Sequence, residues 1–210
     1  MANIGIEHVL LCEASRIQDI MGAKELIPLS KSLVTEFADA GSFWFGPRNL
    51  VETDERYIQL VSYVLIAHGD RFLCYQRGHE SSEERLREKL SIGLGGHISL
   101  TDTRAILGTL DVMKTIKAGA TREVAEELET SKVTARKKLA LLHSRENAVD
   151  TVHCGLVEIW HVESPHVTIK DKSLQLIGFK SLPELTAMQG FETWSTLLIQ
   201  HLNSLPPHTH

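Results

Sequence analysis

The chain has 210 residues, 42% of them hydrophobic, which is ordinary for a globular domain with a sizeable core. Its formal net charge is -5, so a broad surface for long nucleic acid is disfavoured. The three cysteines form no C-x-x-C pair and no stretch has the length of a membrane span, which disfavours disulfide frameworks, structural zinc and a membrane location. With no leader pattern visible, we expect a soluble cytoplasmic protein.

The N-terminal region, residues 1–56, shows fewer regular patterns than the rest of the chain. Residues 7–12 contain a short apolar run that is typical of a strand. Residues 43–45 are an aromatic cluster before a Gly-Pro turn signal, and such a cluster either plugs the end of a core or walls a pocket. We expect this region to be an extension packed on the same domain as residues 57–205.

The pattern becomes clearer from residue 57 onward. Residues 57–67 are rich in Val, Ile, Leu and Tyr, and a His-Gly-Asp turn separates them from an alternating segment at 71–77, which together predict a hairpin. Further strands are expected at 90–94, 139–143, 151–162 and 175–180, and a closing helix at 192–202. Strands that bracket a central helix favour a mixed α/β sandwich.

The central helix is predicted at residues 121–129, where good helix formers dominate. At about 100° per residue, Glu123, Glu126 and Glu127 fall in one sector, with Glu127 nearest the buried edge. Three carboxylates on one helix face repel one another, and a hard divalent cation is their natural compensation. A solvated charged face is the alternative. One apolar stripe lies beside this sector, formed by Ile116, Ala120, Val124 and Leu128.

A glycine-rich run precedes this helix. Residues 91–98 read Ser-Ile-Gly-Leu-Gly-Gly-His-Ile, with three glycines at the end of a predicted strand. Glycines cost conformational entropy there, so a tight bend or the close approach of another segment or a ligand should require them. The bend alone is a weak signal. A bend followed by a helix that carries Arg-Glu-x-x-Glu-Glu is a much stronger one.

This combination resembles the Nudix hydrolase family, whose box reads G-x5-E-x7-R-E-U-x-E-E-x-G-U, with U an apolar residue. Gly96 resembles the opening glycine. The residues that match R-E-U-x-E-E are Arg122, Glu123, Val124, Glu126 and Glu127. The resemblance covers residues 57–203 and is closest to a divergent branch of predicted MutT-like phosphoesterases with an insertion in the box. It implies a Nudix-type α/β/α sandwich with a mixed β-sheet.

The match to the box is incomplete. Gly96 and Arg122 lie about twelve residues farther apart than in the family pattern. Lys114 stands where the early box glutamate would be, and the late glycine and apolar residue are replaced by Glu129 and Thr130. Asp102, Asp111 or a later acidic residue would supply the missing oxygen ligand, and the sequence does not distinguish among them.

The resemblance implies a Nudix-type pyrophosphohydrolase, an enzyme acting on acid anhydrides in phosphorus-containing compounds, that uses Mg²⁺ or Mn²⁺ to cleave a diphosphate linkage in a nucleoside diphosphate derivative. Glu126 and Glu127 would be metal ligands, and Glu123 a further ligand or the catalytic base. Arg122 would support catalysis by orienting a carboxylate, and the Gly96 carbonyl would complete the metal shell.

Substrate contacts are predicted from the glycine run and the preceding strand, at His97, Arg77 and Gly95. His153, inside an apolar strand, is expected to be a core histidine. The partner would be a small molecule, and the resemblance allows a homodimer. The competing hypothesis is a non-catalytic Nudix-like module that binds a nucleotide or acts as a sensor, because the box is altered.

Overall fold

The computed structural model describes residues 6–78 and 88–205. Within these ranges the strands are β1 (His8–Glu13), β2 (Leu26–Pro28), β3 (Trp44–Pro47), β4 (Tyr57–His68), β5 (Arg71–Arg77), β6 (Leu90–Ser91), β7 (Leu94–His97), β8 (Ala105–Ile106), β9 (Thr109–Leu110), β10 (Leu128–Thr130), β11 (Val133–Leu142), β12 (His153–Val162), β13 (Val167–Ile169) and β14 (Leu174–Ser181). The α-helices are α1 (Ala14–Met21), α2 (Lys31–Phe37), α3 (Arg48–Val51), α4 (Val112–Glu127), α5 (Ala148–Thr151), α6 (Leu182–Ala187) and α7 (Thr193–His201).

The chain divides into two compact units, each built from separate stretches of sequence. Unit 1 takes in Met1–Ser62, Gly96–Thr121 and Ala140–Leu156. Unit 2 takes in Tyr63–Gly95, Arg122–Leu139 and Val157–His210. The boundary near residue 56 between extension and main domain stays a prediction. None of the helices in the described ranges combines the length and hydropathy needed to cross a lipid bilayer.

Unit 1 is organised around β1, whose side chains alternate between two apolar clusters, as strand geometry requires. β1 pairs antiparallel with β3 and with β4, and β2 pairs antiparallel with β11. Phe43 is buried against Phe37, with ring centroids 5.3 Å apart, so the aromatic cluster contributes to a core. The larger cluster includes Leu10, Cys12, Ile17, Phe37, Phe43, Ile58, Leu60, Ile116, Leu141, Cys154 and Leu156.

The long connection between the glycine run and α4 also lies in unit 1. It contains a 3₁₀ helix at Leu100–Asp102 and a hairpin of β8 and β9. Leu107 and Gly108 both have positive φ, 50° and 83°, as a two-residue type I′ turn needs. Asp111 then precedes α4, and its Oδ1 accepts a hydrogen bond from Lys114 N at 2.9 Å, which satisfies an end group of the helix.

Unit 2 contains the predicted hairpin, with Gly69 at φ +60° in the turn between β4 and β5. β5 also pairs antiparallel with β14 and β6. α6 begins with a capping box of Ser181 and Glu184. Glu192 caps α7 by accepting hydrogen bonds from the N–H groups of residues 194 and 195. The hairpin and the closing helix were therefore predicted correctly from sequence.

α4 differs from the sequence prediction at both ends. It begins at Val112 and ends at Glu127, so the prediction that the helix continues to residue 129 is wrong. Residues 128–130 instead form β10, which pairs with β13. The backbone N–H of Lys170 donates a hydrogen bond to the Glu127 carbonyl at 2.8 Å. The predicted apolar stripe is confirmed, because its members are buried: Ile116, Ala120, Val124 and Leu128.

Candidate functional site

The acidic face of α4 is organised by Arg122. Its Nη1 donates to Glu123 Oε1 at 2.8 Å and to Glu126 Oε2 at 3.1 Å. The Arg122 and Glu123 side chains are 28% and 19% exposed, whereas that of Glu126 is 59% exposed. A single guanidinium thus bridges carboxylates on successive helical turns and fixes their direction.

Glu127 is in a different environment from its neighbours. Its Oε2 atom is buried and has no hydrogen-bond partner. Burial raises the pKa of Glu127 to about 7; Arg77 opposes that shift, and the charges of Glu123, Asp171 and Glu126 add to it. A buried carboxylate surrounded by other carboxylates resists ionisation until a cation compensates it.

A turn after β13 holds the end of this helix. Lys170 donates from its backbone N–H to the Glu127 carbonyl at 2.8 Å and from Nζ to the Ala125 carbonyl at 2.9 Å. Both carboxylate oxygens of Asp171 accept from Ser173 at 2.8 Å. Sequence reasoning missed Lys170 and Asp171, because their polar surroundings indicate only a turn.

Arg77 and Gly95 were predicted to contact substrate, and both lie in unit 2. Arg77 ends β5, with its guanidinium carbon 5.9 Å from the centroid of the Tyr75 ring. Its positive charge opposes the rise in the pKa of Glu127 that burial causes. Gly95 lies in β7 and is half-buried. The substrate role of both residues stays a prediction.

The glycine run has a steric explanation at Gly93. A β-carbon there would lie 1.9 Å from Tyr63 Cε1, so only glycine fits beneath that ring. The Tyr75 hydroxyl donates a hydrogen bond to the Gly93 carbonyl at 2.7 Å. Tyr63 donates to Glu192 Oε1 at 2.6 Å, and Ser195 Oγ accepts from Ile92 N at 2.9 Å. Helix α7 therefore holds the bend that precedes β7.

Gly96 and His97 belong to unit 1. The Gly96 carbonyl accepts a hydrogen bond from Ser62 Oγ at 3.3 Å. His97 Nε2 lies 3.0 Å from His153 Nε2, so the structure pairs a predicted substrate residue with a residue that sequence reasoning placed in the core. No local pattern in the sequence indicated this pairing.

The two acidic residues considered for the missing box ligand have capping roles. Asp102 is buried, and its Oδ2 accepts from Ser99 N at 2.9 Å in a capping box. Asp111 caps α4 and pairs with Lys114 Nζ at 3.0 Å. Hydrogen bonds from Lys114 lower the pKa of Asp111. Both carboxylates thus stabilise local structure.

The acidic cluster fits a divalent cation in its chemistry. Oxygen ligands are what Mg²⁺ and Mn²⁺ prefer, and the unpartnered Oε2 of Glu127 is the kind of buried polar atom that a bound ion satisfies. In residues 6–78 and 88–205 there is no group of three His, Cys, Asp or Glu side chains already arranged around a metal position. Because Arg122 engages Glu123 and Glu126, these two would have to turn from it to bind an ion.

Solved structures share this fold, although no family model matches the chain. The chain superposes on the crystal structure of Tm1382, which is described as a candidate Nudix hydrolase, with a TM-score of 0.74. The two are 25% identical, and the match covers 94% of this chain and 99% of that one. The Nudix domain of Shewanella oneidensis NrtR, solved with ADP-ribose, matches with a TM-score of 0.51 and 13% identity over 70% and 87% of the two chains. The latter likeness shows the fold alone.

The chain has the fold of the Nudix hydrolase family, and the expected α/β/α sandwich with a mixed β-sheet is confirmed. Protein YmaB of Bacillus subtilis strain 168 is a sequence relative. It is 30% identical over 162 residues, which cover 74% of this chain and 76% of YmaB.

Proposed function

We propose that the chain is a metal-dependent pyrophosphohydrolase that cleaves the diphosphate linkage of a nucleoside diphosphate derivative. The observation that carries this proposal is Glu127, whose buried Oε2 atom has no partner and whose pKa lies near 7. A carboxylate of this kind costs folding stability, so its presence favours a functional role. The likeness to Nudix hydrolase structures supports metal-assisted hydrolysis as that role.

Divalent metal, Mg²⁺ or Mn²⁺, would be held by the carboxylates of Glu126 and Glu127, with Glu123 as a further ligand or as the base. When bound, such an ion neutralises diphosphate charge and acidifies a water molecule. The Gly96 carbonyl stays a ligand expected from the box pattern.

The remaining roles follow from the contacts of individual side chains. Arg122 keeps the carboxylates of Glu123 and Glu126 together on one side of α4, and each would exchange its contact with the guanidinium for the ion. Arg77 supplies positive charge near Glu127, which suits the approach of a diphosphate. His97 and Gly95 would contact the substrate.

The substrate class is a small nucleotide derivative. The NrtR domain, a fold relative, was solved with ADP-ribose, and the net charge of -5 disfavours a long polyanion. ADP-ribose and other nucleoside diphosphate derivatives therefore come first in a substrate screen.

The test is release of phosphate-containing products from a panel of these compounds with Mg²⁺, Mn²⁺ or EDTA. Metal-dependent cleavage of at least one compound is expected, and its absence in Glu127→Gln would link turnover to the cluster. A well-folded protein that binds nucleotide and metal but cleaves no member of the panel would contradict the proposal.

That outcome would favour the second candidate, a nucleotide-binding or sensor module. One observation favours it: Lys114 occupies the place of the early box glutamate and pairs with Asp111, which removes one acidic group from the expected set. Both proposals predict nucleotide binding, but only the hydrolase proposal predicts turnover.

A further inference from the structure

His97 and His153 form a ring-to-ring contact inside unit 1. Their Nε2 atoms are 3.0 Å apart, and the rings meet edge to face with an angle of 68° between their planes. His153 is 8% exposed, and His97 is half-buried. At this distance one ring nitrogen donates a hydrogen bond and the other accepts it.

The direction of that hydrogen bond is set at the other nitrogen of His153. His153 Nδ1 lies 2.6 Å from the Val149 carbonyl oxygen, and a carbonyl oxygen only accepts. The proton of the neutral His153 ring is therefore on Nδ1, which leaves a lone pair on Nε2. It follows that His97 Nε2 carries the proton that is donated to His153.

The anchoring carbonyl is itself held in place. Val149 lies in α5, whose N-cap Asn147 accepts hydrogen bonds from the N–H groups of Val149 and Asp150 at 3.2 and 3.0 Å. The His153 carbonyl accepts from His143 Nδ1 at 2.8 Å. The short helix thus fixes the His153 ring, and His143 holds the backbone of β12 from which that ring projects.

We infer that His153 is a positioning residue that sets the tautomer and the ring plane of His97. The inference rests on the proposed function for one point only, that His97 contacts substrate. In the neutral His97 ring the lone pair is then on Nδ1, so any group that meets Nδ1 must be a hydrogen-bond donor. A hydroxyl group or a water molecule meets this requirement, whereas an unprotonated phosphate oxygen does not.

The direct test is the tautomer of each ring, read from two-bond ¹⁵N–¹H couplings of the folded protein at about pH 8.5, where imidazoles are neutral. The Nδ1–H form is expected for His153 and the Nε2–H form for His97. Finding His153 in the Nε2–H form would overturn the inference, whether or not the protein is an enzyme.

Two substitutions separate positioning from simple packing. His153→Phe keeps a ring but removes the acceptor, so His97 is expected to become a mixture of both tautomers. His153→Gln places an amide oxygen near the former Nε2 position and is expected to keep His97 in the Nε2–H form. His161→Phe, on the same strand β12, is the matched control and should leave the His97 signals unchanged.

Turnover supplies the second readout. With a substrate in hand, His153→Phe is expected to raise KM roughly fivefold to tenfold and change kcat less than about twofold, with recovery in His153→Gln. An unchanged His97 tautomer in His153→Phe would refute the positioning role. If the wild type turned over no substrate, only the proposed function would be refuted, because the tautomers are measured without substrate.

Discussion

A β-carbon on Gly93 would lie 1.9 Å from Cε1 of Tyr63, closer than any real pair of carbon atoms packs. Gly93→Ala should therefore destabilise the protein by about 3 kcal/mol or more, because both the ring and the bend would have to move. Denaturant unfolding measures the change.

The control for this substitution is Gly41→Ala, where the nearest atom would be 3.7 Å away. It should change the free energy of unfolding little. Adding Tyr63→Leu to Gly93→Ala should recover part of the lost stability, since the two residues are in direct contact. Strict additivity in this double variant would show that the ring is not the obstacle.

Glu127→Gln should stabilise the protein without metal in a pH-dependent way. The pKa of Glu127 rises from 4.5 to about 7 on folding, so between these values the folded state binds more protons than the unfolded state. The wild type therefore loses stability as the pH rises through this window. The variant should exceed it by about 3 kcal/mol above pH 7 and match it below about pH 4.5.

The measurement is chemical unfolding in EDTA at a series of pH values. Glu126→Gln is the comparison, because that side chain is 59% exposed and pairs with Arg122, so the substitution should bring no such gain in stability. A Glu127→Gln variant whose advantage does not vary with pH would show that Glu127 is not a buried, strained carboxylate.

Arg122→Ala should lower kcat/KM by about tenfold to a hundredfold, because Glu123 and Glu126 would lose their shared donor. Arg122→Lys keeps the charge but not the forked geometry, so its kcat/KM should lie between those of the wild type and Arg122→Ala. Steady-state kinetics on the best substrate of the panel gives the comparison. Lys117 is an exposed cation on the same helix, so Lys117→Ala should have the kinetics of the wild type. If Arg122→Ala also had wild-type kinetics, the orienting role would be refuted.

Gln59→Leu should stabilise the protein by about 1–2 kcal/mol. The Gln59 side chain is fully buried, and both its amide nitrogen and its oxygen have no hydrogen-bond partner. Replacing an unsatisfied buried amide by an apolar group of similar size removes its desolvation penalty. Thermal unfolding tests this, with Ser62→Ala as the comparison, since that change removes a hydrogen bond to Gly96. A destabilised Gln59→Leu would indicate a polar partner such as a buried water.

The elements that the sequence predicted well are those governed by local chemistry. The turn at Gly69, β5 and the closing helix follow from composition and spacing within a few residues. The burial of the α4 stripe and of the Glu127 edge follows from helical periodicity alone.

The features that the sequence did not predict depend on distant partners. The end of α4 is set by Lys170, which lies far along the chain from Glu127. The need for Gly93 arises from Tyr63, and the pairing of His97 with His153 joins two separate strands. Single-sequence patterns do not report such long-range contacts, because no local period links the residues.

Titration of Mn²⁺ by isothermal calorimetry tests whether the Glu127 cluster binds a divalent cation. The wild type is expected to bind Mn²⁺ with a proton release that is detectable near pH 7, since Glu127 must ionise. Glu127→Gln should lose this binding, whereas Glu129→Gln, exposed and outside α4, should retain it. Equal Mn²⁺ affinity in the wild type and in Glu127→Gln would show that the Glu127 carboxylate does not bind the ion.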